Sequence, residues 1–209
     1  MIVSHKYKFI FIKTVKTAGT SIEVDLNNML GDTDIATPIY PPIEGHQARN
    51  FIVKNELNEQ TVFRNHMSGR EVRKLVGAAI WDEYFTFCVE REPISKVISH
   101  YSMLVNSPYH NKHTKEMSFE EYVNKGKFPV DTEKYTDENG NLIVDRILKY
   151  EELDKELMTI ANYIGLNLKL KTRAKSGFRM DLQITEKQSQ IIYQAFSTSN
   201  QFTRYSFSK

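Results

Sequence analysis

Residues 7–30 read YKFIFIKTVKTAGTSIEVDLNNML. Phe9 to Ile12 is a continuous apolar run, as expected of a parallel strand covered on both faces. Ile22, Leu26, Met29 and Leu30 recur at helical spacing, so a helix with one apolar face follows. Between them lies KTVKTAGTS, a turn of small residues and hydroxyls with two lysines. Such a strand, loop and helix N-terminus forms a natural anion site, because loop N–H groups and the positive end of the helix converge. Gly19 lets the backbone approach a ligand, Thr20 and Ser21 are expected to cap the helix and bind oxygens, and Lys16 supplies a mobile charge. A plain strand-to-helix turn would need fewer of these features together, so the loop reads as a phosphate or sulfate site.

The loop is not a Walker A sequence, which needs a glycine directly before the lysine, whereas Lys16 precedes Gly19 by three residues. Lys16-Thr17-Ala18-Gly19-Thr20-Ser21 instead resembles the 5′-phosphosulfate loop of carbohydrate-type (family 2-like) sulfotransferases, whose usual form is PKTAGTS; Val15 replaces the proline. The resemblance implies an α/β, P-loop-like three-layer fold with a central, mainly parallel sheet covered by helices. It also implies 3′-phosphoadenosine 5′-phosphosulfate (PAPS) as donor, bound through Lys16, Thr17, Ala18, Gly19, Thr20 and Ser21.

The bounds agree. The 209 residues fit one domain spanning 1–209, and no composition shift marks a linker. A net charge of +2 gives no call for a nucleic-acid partner. No apolar run reaches the length of a membrane span, and the first residues leave no room for a signal peptide. The single cysteine, Cys88, allows no internal disulfide and sits in the apolar run TFCV, so it reads as core. The expectation is a cytoplasmic protein.

Downstream, residues 31–65 read as loop with a short strand or two around 50–53 and 61–64. Ser68 to Glu71 is a capping box opening a helix. Tyr84 to Glu90 reads as a second buried strand, and Pro93 suits the first turn of the helix after it. Ser118 to Glu121 and Thr185 to Gln188 are two further capping boxes, and Gly126 and Gly165 should end helices. Residues 127–146 are polar, turn at Asn139-Gly140, and read as a surface excursion.

Phe87 to Leu104, FCVEREPISKVISHYSML, carries a second constellation. Arg91 falls at the carboxyl end of a strand, where ligands bind in open α/β sheets, and Ser99 lies in the helix beyond it. A guanidinium fork and a hydroxyl can grip an anion, although an arginine paired with Glu90 or Glu92 is the plainer alternative. The stretch is similar to the 3′-phosphate element of the same sulfotransferases, with Glu92 replacing their aspartate or asparagine and Lys96 their arginine. Near the C-terminus, Lys175, Ser176, Gly177 and Arg179 resemble a loop that closes over the 3′-phosphate and adenine; a solvated basic loop is the alternative. The tail QFTRYSFSK resembles a final aromatic packing segment.

An acceptor alcohol is a poor nucleophile at neutral pH, so a base near its hydroxyl helps. His66, preceding a capped helix, resembles a histidine of related carbohydrate sulfotransferases; Glu44 and His46 stand in reserve. His110 and His113 lack the further ligands of a metal site, and no metal is assigned. The expected reaction moves a sulfuryl group from PAPS to a hydroxyl, or second in order an amine, of a carbohydrate-like or small-molecule acceptor. Lys16 and His66 would be the catalytic residues. The rivals are a P-loop-type nucleotide kinase or NTPase, disfavoured because no lysine follows Gly19, and a catalytically silent nucleotide-binding module.

Overall fold

The computed structural model describes residues 1–54, 60–166, 171–172, 177 and 179–206. In chain order the strands are β1 (Ile2–Ser4), β2 (Phe9–Ile12), β3 (Ile35–Ala36), β4 (Ile52–Lys54), β5 (Gln60–Val62), β6 (Phe85–Glu90) and β7 (Arg146–Lys149). The helices are α1 (Gly19–Asn27), α2 (Gly69–Val76), α3 (Ala78–Glu83), α4 (Pro93–Asn106), α5 (Phe119–Lys125), α6 (Thr132–Tyr135), α7 (Leu153–Tyr163), α8 (Glu186–Ala195) and α9 (Ser197–Thr203).

The central sheet runs β3-β1-β2-β6-β7. The apolar runs of β2 and β6 pair in parallel, Phe11 opposite Phe87 and Ile12 opposite Cys88, and β7 adds a parallel strand beyond β6. On the other side the sheet departs from expectation. The Ile2-Val-Ser4 segment is itself a strand, antiparallel to β2, and the short β3 is antiparallel to β1. The sheet is therefore mixed, with parallel pairing confined to β2, β6 and β7. The connection is a tight turn over residues 5–8, too short for a parallel crossover. Buried Asp34 holds that turn, accepting from Ser4 Oγ and from the backbone N–H groups of His5 and Lys6.

Alternation along the strands sends side chains to both faces. Phe9, Phe11, Phe87 and Val89 pack with Ile22 and Leu26 of α1 and Leu153, Leu157 and Ile160 of α7. Ile10, Ile12 and Cys88 pack on the other face with Val72 of α2, Trp81 of α3 and Tyr135 of α6. Phe11 and Phe87 stack at 5.1 Å, a contact worth about 0.5–1.5 kcal/mol beyond burial. A third cluster joins α4, α5 and α8 through Val97, Tyr101, Tyr122, Ile192 and Phe196.

All three capping boxes form as read, and Gly126 and Gly165 take the left-handed conformation that ends a helix. The short strands near 50–53 and 61–64 pair with each other as an antiparallel ribbon, β4 with β5. Cys88 is fully buried. The tail packs as expected where it is described, Phe202 lying edge-on to Tyr135. Residues 127–146 are not a surface excursion: they contain α6, the fully buried Tyr135 and the buried Asp131. Asn139-Gly140 does form an exposed turn, but the polar composition hid the buried residues on its near side.

Candidate functional site: a basic cavity at the carboxyl ends of the parallel strands

The chain leaves β2 at Lys13, β6 at Arg91 and β7 at Tyr150, and all three residues line one cavity of about 920 Å³. This is the edge at which open α/β sheets bind ligands. The cavity takes in every residue of the 16–21 loop, together with His66, Arg91, Ser99 and Arg179. Ten candidate residues from five separate places in the sequence thus meet in one space.

The loop is held in an unusual shape. Lys16 (φ 62°) and Ala18 (φ 60°) are both left-handed, and so is His66 (φ 62°) across the cavity. Non-glycine residues there cost roughly 1–3 kcal/mol each, and such strain persists only where surrounding contacts impose it. Those contacts are visible. The Thr14 hydroxyl donates to the Val89 carbonyl of β6 and bonds the Thr17 hydroxyl at 2.8 Å. The Val15 N–H donates to Asp131 Oδ2 at 2.7 Å, and the Arg91 guanidinium donates to the Lys16 carbonyl at 3.2 Å.

The helix start differs from expectation. Ala18 is the N-cap of α1 and no side chain caps it; Thr20 and Ser21 already lie inside the first turn. The first intrahelical bond runs from Ile22 N–H to the Ala18 carbonyl, so Gly19, Thr20 and Ser21 form the first turn, at the positive end of the helix. Gly19 serves a packing role not read from the sequence. A Cβ there would lie 2.7 Å from Cγ of Lys13, whose stem runs beneath it. Lys13 is itself buried, paired with Glu23 at 2.5 Å, and Glu23 also accepts from the Met1 amino group. Burial pushes the Lys13 pKa down in spite of Glu23.

At the β6 end, Arg91 does not take the plainer partner. Its Nε donates to Ser95 Oγ at 3.0 Å, and its guanidinium lies 4.0 Å from the Tyr150 ring centre. Arg179 donates to the same Ser95 Oγ at 3.2 Å. Two guanidinium groups therefore converge on one hydroxyl. Burial, with Arg179 close by, lowers the Arg91 pKa, although Tyr150, Glu151 and Glu92 oppose the shift. Ser99 lines the cavity one turn further along α4, but the serine that Arg91 touches is Ser95. Ser95 stands four residues before Ser99 and shares its helix face, which is the signal that would have found it. Glu92 caps α4 by accepting from Ile94 and Ser95 N–H, the work its aspartate or asparagine counterpart could do equally well.

His66 is not free to swing. Its Nδ1 meets the Lys13 carbonyl at 3.1 Å, which makes Nδ1 the protonated nitrogen and leaves Nε2 with a lone pair. Burial, then Lys13 and Lys134, push its pKa down to about 4. The ring is neutral near pH 7. Glu44 is exposed, and His46 lines a separate cavity of about 410 Å³ beside the end of α1. Gly177 is exposed, and Lys175 and Ser176 lie outside the described residues. Lys171 and Thr172 reach the cavity, their N–H groups anchored on Asp25 of α1 at 2.8 and 3.0 Å. Among the described residues no group of three or more His, Cys, Asp or Glu is placed to hold a metal ion, and no helix is long and apolar enough to cross a membrane.

Fold and site together define an α/β protein with a basic, donor-rich cavity at the carboxyl ends of its parallel strands. No protein-family model matches the chain. It is 32% identical over 122 residues to an uncharacterized protein of Archaeoglobus fulgidus, an alignment that covers 52% of this chain and 93% of the relative. The chain belongs to the same family as that archaeal protein.

Proposed function

We propose that this protein is a PAPS-dependent sulfotransferase with a P-loop-like fold, acting in the cytoplasm on a hydroxyl of a carbohydrate-like or small-molecule acceptor. The observation that carries the reading is the union of two anion stations in one cavity. The α1 N-terminus with Lys16 forms one, the Arg91–Ser95–Arg179 cluster forms the other, and Arg91 bonds the Lys16 carbonyl between them. A donor with a phosphate at each end of its ribose needs two such stations. A cavity of about 920 Å³ falls in the range of ligand sites of that size.

PAPS would supply the sulfuryl group and carry away the electron pair of the broken S–O bond on its 5′-phosphate. The N–H groups of Gly19, Thr20 and Ser21 point along the positive end of α1 to hold that phosphate. Lys16 offsets the charge that grows on the leaving oxygen, where a preorganised cation acts most strongly. Arg91, Arg179 and Ser99 hold the 3′-phosphate, displacing the guanidinium bonds to Ser95. Nε2 of His66 accepts the acceptor's proton as its oxygen bonds sulfur. A base of low pKa suffices, since the hydroxyl becomes acidic as the new bond forms, and it stays unprotonated at working pH.

The kinase reading would want the acidic residue ending β6 to hold Mg²⁺, but Glu90 is buried and bonded to Lys96 at 2.7 Å. The test is incubation with labelled PAPS and pooled hydroxyl acceptors, read by mass increase. Transfer that is lost in Lys16→Ala supports the proposal. Binding of adenosine 3′,5′-bisphosphate without transfer to any acceptor would leave a silent nucleotide-binding module instead.

A further inference from the structure

Asp131 stands at the N-cap of α6, where an aspartate ordinarily accepts from the N–H groups of its own helix. It makes no such bond. Its carboxylate turns instead to a residue 116 positions earlier in the chain, accepting the Val15 N–H on Oδ2 at 2.7 Å. The same Oδ2 accepts Lys96 Nζ at 2.8 Å, and Oδ1 accepts Lys134 Nζ at 2.5 Å. Lys96 is fully buried and reaches Glu90 Oε2 at 2.7 Å with the same ammonium, one residue before Arg91. A single line of charged hydrogen bonds thus runs from the peptide entering the anion loop to the strand end carrying the guanidinium. Helix α6 gives up its own cap to complete it.

We propose that Asp131 is the positioning residue of the anion loop: it fixes the Val15 peptide so that Lys16 and Ala18 hold their left-handed conformations before ligand arrives, and through Lys96 it ties the loop to the Arg91 station. The physical argument is one of supply and constraint. Two left-handed non-glycine residues in three positions relax to ordinary backbone unless the flanking peptide is held. A charge-assisted bond to a buried carboxylate is among the stronger restraints available to a single N–H. Without it Gly19 to Ser21 still line the cavity, but the loop spends less time with Lys16 in place. Ligand binding must then include the cost of ordering the loop, so affinity falls by the fraction of molecules ordered.

The ligand arm of this inference rests on the nucleotide reading above, whereas the backbone arm does not. The experiment uses the full chain as wild type, Asp131→Ala and Asp131→Asn. Amide hydrogen exchange at Val15 and Lys16 is measured in the free protein, alongside amides of β2 and β6, and binding of adenosine 3′,5′-bisphosphate is followed by calorimetry. In Asp131→Ala, Val15 exchange should rise tenfold or more with Phe11 and Phe87 unchanged, and bisphosphate affinity should fall about tenfold to a hundredfold. Asp131→Asn keeps an acceptor oxygen and should recover much of both, as a merely electrostatic role would not. Should Asp131→Ala fail to fold, Asp131→Asn decides alone by a several-fold rise confined to Val15 and Lys16. Unchanged Val15 exchange, or equal acceleration in β2 and β6, overturns the proposal. A wild-type protein that binds no bisphosphate removes the nucleotide reading and leaves the exchange result to judge Asp131.

Discussion

The His66 ring is held at Nδ1 by the Lys13 carbonyl, so its tautomer is set by the backbone rather than by a ligand. Burial and the neighbouring lysines then place its pKa at about 4, against about 6.5 in an unstrained histidine. A base is active when neutral, so the acidic limb of a kcat/KM profile should fall near pH 4, with a plateau from about pH 5 upward. His66→Ala should lower turnover about a hundredfold to ten-thousandfold, remove that limb and leave bisphosphate affinity intact. A limb that stays in place in His66→Ala, or a dead His46→Ala or Glu44→Ala enzyme, would move the role elsewhere. Lys16→Ala should cost about 3–4 kcal/mol of transition-state stabilisation, on the order of a hundredfold to a thousandfold in kcat, while retaining part of the nucleotide affinity. Near-normal turnover there would take Lys16 out of the mechanism. That Lys16 and His66 line the cavity could be read because each stands beside a local signal, the small-residue loop and a capping box. Lys13 was not: nothing local announces that its stem passes under Gly19 to reach Glu23.

At the level of elements, α1 and the β6 end act as one unit, because Arg91 bonds the carbonyl of Lys16. Arg91→Ala should therefore narrow the preference for adenosine 3′,5′-bisphosphate over adenosine 5′-monophosphate by roughly 1.5–3 kcal/mol, the size of a charged hydrogen bond. An unchanged ratio in a folded variant, measured by calorimetry, would separate Arg91 from the 3′-phosphate. Gly19→Ala probes the other side of the unit. Its methyl group would meet Lys13 Cγ at 2.7 Å, so the stem must shift and the Lys13–Glu23 pair with it. A loss of about 1–3 kcal/mol in denaturant titration is expected, typical of overpacking, and wild-type stability would refute the packing role. Helix boundaries were readable wherever a capping box or a terminal glycine encodes them within four residues, as at Ser68, Ser118 and Thr185. The start of α1 was misread because its N-cap is Ala18, in a loop shaped by partners at Val89, Arg91 and Asp131. Those partners are distant in sequence, and polar residue types alone do not reveal them.

For the molecule as a whole, the apolar runs of β2 and β6 and the helices that follow them were enough to predict an α/β sheet with a loop site at its carboxyl edge. The antiparallel β1 and β3 were not legible, since three and two residues carry too little periodicity to mark a strand. Acid should destabilise the folded chain through buried rings. His66 and His100 both sit near pKa 4, each lowered first by burial, whereas the unfolded chain protonates them near 6.5. Between those values the unfolded state binds more protons, so stability falls as pH drops from about 6.5 toward 4. Tm should follow that slope, and a folded His66→Gln, His100→Gln double variant should show a flatter one; an identical slope would contradict the assignment. The central claim is that the cavity receives a nucleotide carrying phosphates at both stations without metal. Calorimetric titration with adenosine 3′,5′-bisphosphate, repeated with and without Mg²⁺ and against Mg²⁺–ATP, tests it most directly. The account predicts tight bisphosphate binding that is indifferent to Mg²⁺ and exceeds that of ATP; a clear preference for Mg²⁺–ATP, or no bisphosphate binding, would contradict it.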